Sequence, residues 1–523
     1  MAQTEAAAPA LPADPPRQPV GLIMTALLLV MALAMLDQTI VSTALPTIVG
    51  DLGGVEHLSW VVTAYLLTST VVTPIYGKLG DMYGRKVVLQ TAIVIFIIGS
   101  ALCGIAQDMT QLILFRALQG VGGGGLMVVT LAVIADVVPA RQRGKFQGLF
   151  GGVFGLATIV GPLLGGFFVD NLSWHWIFFI NIPLALAALG VIAVAFTART
   201  EKHKRKIDYL GAFLLAVALT AIVLFTSLGG NTYDWGSPEI LAMIVVGIVA
   251  TLAFLWVETR AAEPILSLSL FRNPVFSMTT AIGFIVGLAL FGAVTFLPLY
   301  LQVVKGVSPT DSGLQIVPMM VGMLVTSIGS GILISRFGRY KIFPVVGSVL
   351  MVVAMVMLSQ VAVDTSRTLV TVEMVVLGLG LGLIMQVLIL AAQNAVEPKD
   401  VGVATAGSML FRQIGGSIGL SLFGALFASR LTEGMMNTLP AGTLPEGTTI
   451  SPNMVAALPP EILQPVLGIF VDALGMVFLV AAIISVFAFI LSLFLRETPL
   501  RSHPGRGAGA EADEPTNAAA AHI

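Results

Sequence analysis

Residues 77–86 read GKLGDMYGRK, and residues 331–341 read GILISRFGRYK. Gly77, Gly84 and Arg85 recur as Gly331, Gly338 and Arg339 at one offset of 254, each copy following an apolar stretch. Weaker echoes lie downstream: the glycine run 120–125 against Gly378, Gly380 and Gly382, and Pro139 against Pro398. Both copies fall in turns on the same face of the membrane, so the halves run parallel. Parallel repeats about an axis along the membrane normal belong to carriers that rock one half against the other. A channel offers no account of such a repeat with an altered second copy.

The membrane follows from composition. Of 523 residues, 57% are hydrophobic and 10% charged, against roughly 25% charged in soluble domains, and the mean hydropathy is +0.97. At about 20 apolar residues per span, the chain reads as fourteen transmembrane helices between residues 21 and 495, an all-α polytopic membrane protein. An even count puts both ends on one side. The tails and turns of that side hold 21 Lys and Arg residues; the other side holds only Lys305, Arg367 and Arg430. The positive-inside rule predicts that this basic face, with both termini, is cytoplasmic in a cell membrane. The reading divides the chain into a disordered tail (1–19), a six-helix bundle (20–196), a basic linker with two inserted helices (197–271), a second six-helix bundle (272–496) and a disordered tail (497–523). The segment 430–468 reads as a loop on the opposite face.

Several classes are excluded. The 26 basic and 28 acidic residues nearly cancel, so no nucleic-acid face is implied. One cysteine, Cys103, leaves no intramolecular disulfide. The five histidines stand in loops or tails with no metal-ligand spacing, so neither a metal site nor an enzyme is expected. The glycine run matches a dinucleotide fingerprint only formally, with no strand before it. No GxxxxGK[ST] supplies an ATP motor.

GKLGDMYGRK resembles the loop signature of the major facilitator superfamily. LDQTIVSTALPTI (36–48), LILFRALQGVGGGG (112–125), GPLLGG (161–166) and SWHWIFFINIP (173–183) resemble motifs of its fourteen-span drug:proton antiporter family, the EmrB/QacA type. The resemblance spans about residues 21 to 496. It implies the major-facilitator fold and proton-driven export of lipophilic compounds, neutral or cationic, by a monomer among membrane lipids, with protons as coupling ion and no other cofactor. An exporter or flippase of a lipid or endogenous metabolite, or a solute importer, is the alternative on this fold.

The residues give each motif a physical reading. Glycines permit a tight turn at 77–86, and Asp81 can pair with Arg85 or cap a helix, with Asp136 a further partner. The family implies that Gly77, Asp81, Gly84, Arg85, Asp136 and Arg339 form a cytoplasmic gate. Ser335 stands where the second copy would carry its carboxylate, which predicts a lopsided lock. Gly161, Pro162, Gly165 and Gly166, with Gly148 and Gly152 before them, make a helix face with little bulk, which the family reading places between the halves. Ala157 stands where that pattern has glycine.

Charges inside the membrane are functional candidates because burial costs several kcal/mol. At about 1.5 Å per residue, Asp37 lies roughly 10–13 Å and Arg116 roughly 10 Å below the opposite face. An acid and a base at one level predict a proton-coupling pair. Glu373 is shallower; it reads first as snorkelling to the surface and otherwise as a further proton-coupling residue. Gln38, Tyr65, Gln119, Tyr300, Gln386, Gln393, Asn394 and Arg412 are candidates to line a substrate cavity, with Arg412 placed to meet carbonyls or an anionic group.

Overall fold

The computed structural model describes residues 19–53, 58–196, 208–230, 233–307, 309–438 and 459–500. The linker cluster 199–206, residues 439–458 of the loop, and most of both tails lie outside them. Among the described residues, fourteen helical spans are long and apolar enough to cross a membrane, the sixth of them counted from Trp176 through a short helical turn into the helix that follows it. They are α1 (Val20–Leu52), α2 (Leu58–Tyr83), α3 (Arg85–Cys103), α4 (Met109–Val137), α5 (Ala140–Asn171), α6 (Asn181–Ala195), α7 (Tyr209–Leu228), α8 (Pro238–Glu258), α9 (Pro274–Val303), α10 (Val317–Phe337), α11 (Ile342–Ser359), α12 (Arg367–Asn394), α13 (Val401–Thr438) and α14 (Pro460–Phe494). Side-chain caps set several starts: Asp108 accepts from the Gln111 amide, Asp208 from Gly211 and Ser366 from Leu369. Gly84 and Gly338 both adopt positive φ, the first with ψ 131° and the second in the left-handed α region with ψ 4°, so each copy turns tightly after its helix but in its own way.

α13 and α14 run further than apolar length predicts. Residues 430–438 and 460–468 are helical rather than loop, because Leu431, Met435, Ile462 and Leu463 pack on the second-half core and Gly434 lets Ile469 approach.

In the first half α4 packs on α2 and α3, and α5 on α1; in the second, α13 packs on α9, and α12 on α10 and α11. Two seams join the halves, α2 against α13 and α5 against α10. Both close near the basic face. There a methyl group on Gly77 would come within 2.6 Å of the Ala406 side chain, and one on Gly148 within 2.5 Å of the Ser327 carbonyl oxygen. No comparable packing joins α1 to α9 among the described residues.

The inserted helices sit outside the bundles. α7 lies along the α2/α13 seam, while α8 packs on α7 and leaves Leu241, Val245, Val249 and Leu252 exposed, as a lipid-facing helix does. The connector after α8 returns under the seam. Glu258 accepts from the Ile265 and Leu266 amides, Glu263 pairs with Lys78 of α2 at 2.8 Å, and Leu266 and Leu270 join Val401 and Ala404 of α13 in one apolar cluster.

Candidate functional site

At the basic face, Arg85 begins α3 with its guanidinium 6% exposed. It donates to Asp81 at 2.8 Å, to Asp136 and to the Ala132 carbonyl, and reaches the Pro398 carbonyl of the second half at 3.4 Å. Asp81 in turn accepts from the Gly402 and Val403 amides at 3.1 and 2.9 Å. These are the orphan donors of the first turn of α13, so a carboxylate of one half caps a helix of the other, where the helix dipole favours negative charge. Gly402 makes room for it: a methyl there would sit 2.5 Å from the Asp81 oxygen. Deeper in the same region, Gln147 donates to Gln393 across the halves at 3.0 Å, and Gln393 donates to Thr405 and the Leu131 carbonyl. Gln393 is thus a cross-half tie.

The second copy of the loop is built differently. Arg339 is exposed and has no ion pair among the described residues, which corrects its place in the gate. Ser335 offers no carboxylate and donates to the Gly331 carbonyl of its own helix. Instead, Glu497 accepts from the Tyr340 and Lys341 amides, and Tyr340 bonds the backbone around Arg496–Thr498. Asn394 donates to Thr498 and Pro499, so it ties down this segment and lines no cavity. Residues 497–500 are accordingly part of the second half rather than free tail.

The glycines of GPLLGG also face elsewhere than expected. Gly161 and Gly165 pack on Thr39, Ile40 and Thr43 of α1, in their own half, and a methyl on Gly166 would meet nothing within 4 Å. Thr39 donates to the Ala157 carbonyl at 3.0 Å in the same contact. The face between the halves is the earlier turn, Gly144, Gly148, Gly151 and Gly152, set against Leu324, Ser327, Ile328 and Gly331 of α10. A helix of 3.6 residues per turn, carrying Pro162 within it, presents different sides to the two neighbours.

Within the first half, Asp37 (0% exposed) and Arg116 (1%) form a salt bridge at 2.7 Å. Asp37 also accepts from Gln119 at 2.7 Å and Asn181 at 3.0 Å. Arg116 donates to the Gln119 carbonyl and the Val61 backbone, and its guanidinium lies 4.3 Å over the Tyr65 ring. Ser100 accepts from Gln119 and Asn181 and donates to the Phe178 carbonyl. Every strong donor facing Asp37 is accounted for, which is what a buried carboxylate requires. Gln119 and Tyr65 therefore belong to this network rather than to a cavity. Asn181 and Ser100 had no role in the sequence reading. The one signal for Asn181 was its place in SWHWIFFINIP, at the start of α6.

Glu373 does not snorkel. It is 3% exposed, on the same side of α12 as the buried Val370, Met374 and Leu377, and its Oε2 has no hydrogen-bond partner. The helix turns this side into the second-half core, so no surface is in reach. Tyr300 donates to the Ala362 carbonyl in the opposite-face turn, beside Lys305, which donates to Val363; it lines no midplane cavity. Burial lowers the Lys305 ammonium below its ordinary pKa. Gln38 is half-buried beside Asp37, and Gln386 is half-buried with a buried carbonyl oxygen that lacks a partner.

The sequence model of the Major Facilitator Superfamily matches residues 27–420. The chain belongs to that superfamily. It is 47% identical to an uncharacterised MFS-type transporter of Mycobacterium tuberculosis over 480 residues, covering 92% of this chain and 70% of the relative. It is 38% identical to the multidrug transporter protein MdtP of Bacillus subtilis over 508 residues, covering 92% and 93%. The crystal structure of the human organic anion transporter MFSD10 superposes with a TM-score of 0.63 at 13% identity, over 92% of this chain and 100% of that one. At that identity the likeness concerns the fold alone. The superfamily transporter is a multi-pass membrane protein, and among its described residues the Asp81–Arg85 cluster and the Asp37–Arg116 network each hold a carboxylate and an arginine buried together.

Proposed function

We propose that this transporter is a proton-driven exporter of lipophilic compounds, embedded in the cell membrane with its basic face cytoplasmic. The observation that carries the reading is the Asp37 network: a fully buried carboxylate held by Arg116, Gln119 and Asn181 from α4 and α6. Protonating Asp37 cancels its attraction for Arg116 and removes an acceptor from at least one of the three bonds. Each pairing is worth more in this dry setting than in water. Proton uptake thereby loosens α1 from α4 and α6, and α1 is the helix on which Gly161 and Gly165 of α5 rest. Because α5 also forms the seam with α10, protonation reaches the packing between the halves through one helix. On this reading, the packing of the halves near the basic face belongs to a state in which cargo has access from the other side. The multidrug name carried by MdtP favours export of foreign lipophiles over uptake of a nutrient.

The test uses proteoliposomes loaded with a fluorescent dye under an imposed pH gradient. Wild type is expected to move dye against its gradient. Asp37→Asn is expected to stay folded, keep passive exchange and lose at least 90% of gradient-driven transport. Normal uphill transport by that variant would move the proton site elsewhere, with Glu373 the next residue to examine.

A further inference from the structure

Arg85, Arg116 and Arg143 are buried, and each donates to partners. Arg412 on α13, half-buried, has no hydrogen bond or ion pair among the described residues. It borders a narrow cleft with Ser408 one turn before it, Gly283 and Val286 of α9, and Leu388 and Ile389 of α12. The Ser408 hydroxyl is buried and also lacks a partner. The cleft is tight here, about 10 Å³, so an acidic group enters it by displacing the flexible Arg412 and Leu388 side chains; a methyl group on Gly283 in its wall would meet nothing closer than 4.0 Å.

No acid of the second half is placed to neutralise Arg412. Glu373 stands twelve residues before Met385 on α12, the residue that borders the cleft, which is about 18 Å along the helix. A guanidinium in the membrane interior without a counter-ion is costly. It offers a rigid fork of donors that matches a carboxylate or a phosphate. The hydroxyl adds another donor, and Val286, Leu388 and Ile389 supply an apolar wall beside it.

We propose that this cleft binds the single acidic group of an amphiphilic compound in transit. The inference rests on the export reading and names its cargo class: acidic lipophiles, in place of neutral or cationic ones. The ion pair missing from the protein is completed by the substrate.

The experiment measures binding of 11-(dansylamino)undecanoic acid and of its methyl ester to the full-length transporter in phosphatidylcholine nanodiscs. Wild type is expected to bind the acid at least tenfold more tightly than the ester. Arg412→Gln should erase that preference without weakening ester binding, and Arg412→Lys should retain part of it. Equal wild-type affinities, or a preference that survives in Arg412→Gln, would overturn the proposal. Should Arg412→Gln fail to fold, Ser408→Ala decides: a threefold or greater loss for the acid alone supports the cleft, and no loss overturns it. Phosphatidylglycerol added to the nanodiscs separates cargo from lipid; displacement of the probe would assign the cleft to a lipid headgroup and end the cargo assignment, while unchanged binding supports it. The outcomes also separate the two readings: gradient-driven dye efflux without acid preference sinks the cleft alone, and acid preference without gradient-driven efflux sinks the export reading alone.

Discussion

The α2/α13 seam and the α5/α10 seam occupy equivalent places in the repeat, yet one is tied by charge and the other by bare backbone. Gly77 lets α2 touch α13 just as its counterpart Gly331 lets α10 touch α5. Only the first seam adds Asp81, seated on the amides of Gly402 and Val403 and braced by Arg85. The second has Ser335 in that place and relies on Gly144, Gly148, Gly151 and Gly152. A backbone contact without charge stays much the same over small rotations, whereas an ion cluster favours one arrangement. On the proposed export reading, the glycine seam would serve as the pivot and the charged seam as the latch.

The largest expected effect tests the latch. Removing one partner of a buried ion pair costs about 3–5 kcal/mol, and here the cost falls only on the closed arrangement. Asp81→Asn should shift the equilibrium away from basic-face closure by roughly a hundred- to several-thousandfold, abolishing dye efflux. Cysteines introduced near Gly402 should become reactive from the basic side. Ser335→Ala, at the equivalent place, should keep efflux within about twofold of wild type. Equal losses in the two variants would erase the proposed division of labour.

Next comes the pivot. A side chain at Gly148 meets the Ser327 backbone, which has no rotamer with which to yield. Gly148→Val should cut efflux at least tenfold and lower the melting temperature in detergent, while Gly166→Ala, which faces open space, changes neither. A Gly148→Val protein that melts and transports normally would show that the seam is loose. The two arginines of the repeat should show the same contrast as the carboxylate and its serine counterpart. Arg85→Gln should follow Asp81→Asn, whereas Arg339→Gln, exposed and without an ion pair, should leave efflux within about twofold. Comparable losses would place Arg339 in the gate after all. The smallest effect belongs to the strap beneath the latch. Glu263→Gln removes the pair with Lys78, whose carboxylate side is 27% exposed, and pairs of that kind contribute up to about 1 kcal/mol. A change in efflux of no more than about fivefold is expected, and complete loss would make the inserted helices part of the latch itself.

The architecture was legible because lipid writes it in residue type. Fourteen apolar stretches and one offset of 254 suffice for two parallel halves, and rise per residue put Asp37 and Arg116 at one level before any coordinates were known. Angular position around a helix is what such reading lacks. Gln119 looked like a cavity residue because its depth was known and its side of α4 was not. Asn181 and Ser100 passed unnoticed because their partner lies on another helix. The GPLLGG glycines were assigned to the wrong neighbour for the same reason. Arg339 misled because a repeat copies residues without copying their partners. The helical ends at 430–438 and 460–468 escaped because mixed polar and apolar sequence beyond the lipid carries little hydropathy signal.

The knot formed by Tyr340, Asn394 and residues 495–500 bears on how this protein is to be handled. Every described bond in it spans more than a hundred residues of chain, so the segment that follows the final helix is stitched to the middle of the second half. A fusion partner or affinity tag joined after Leu500 leaves those stitches whole. A deletion that stops at Phe494, where the final helix ends, strips the turn between α10 and α11 of its carboxylate acceptor and removes the Thr498 and Pro499 acceptors of the buried Asn394 amide. Shortened versions made for crystals or for fluorescence reporters are best cut beyond residue 500.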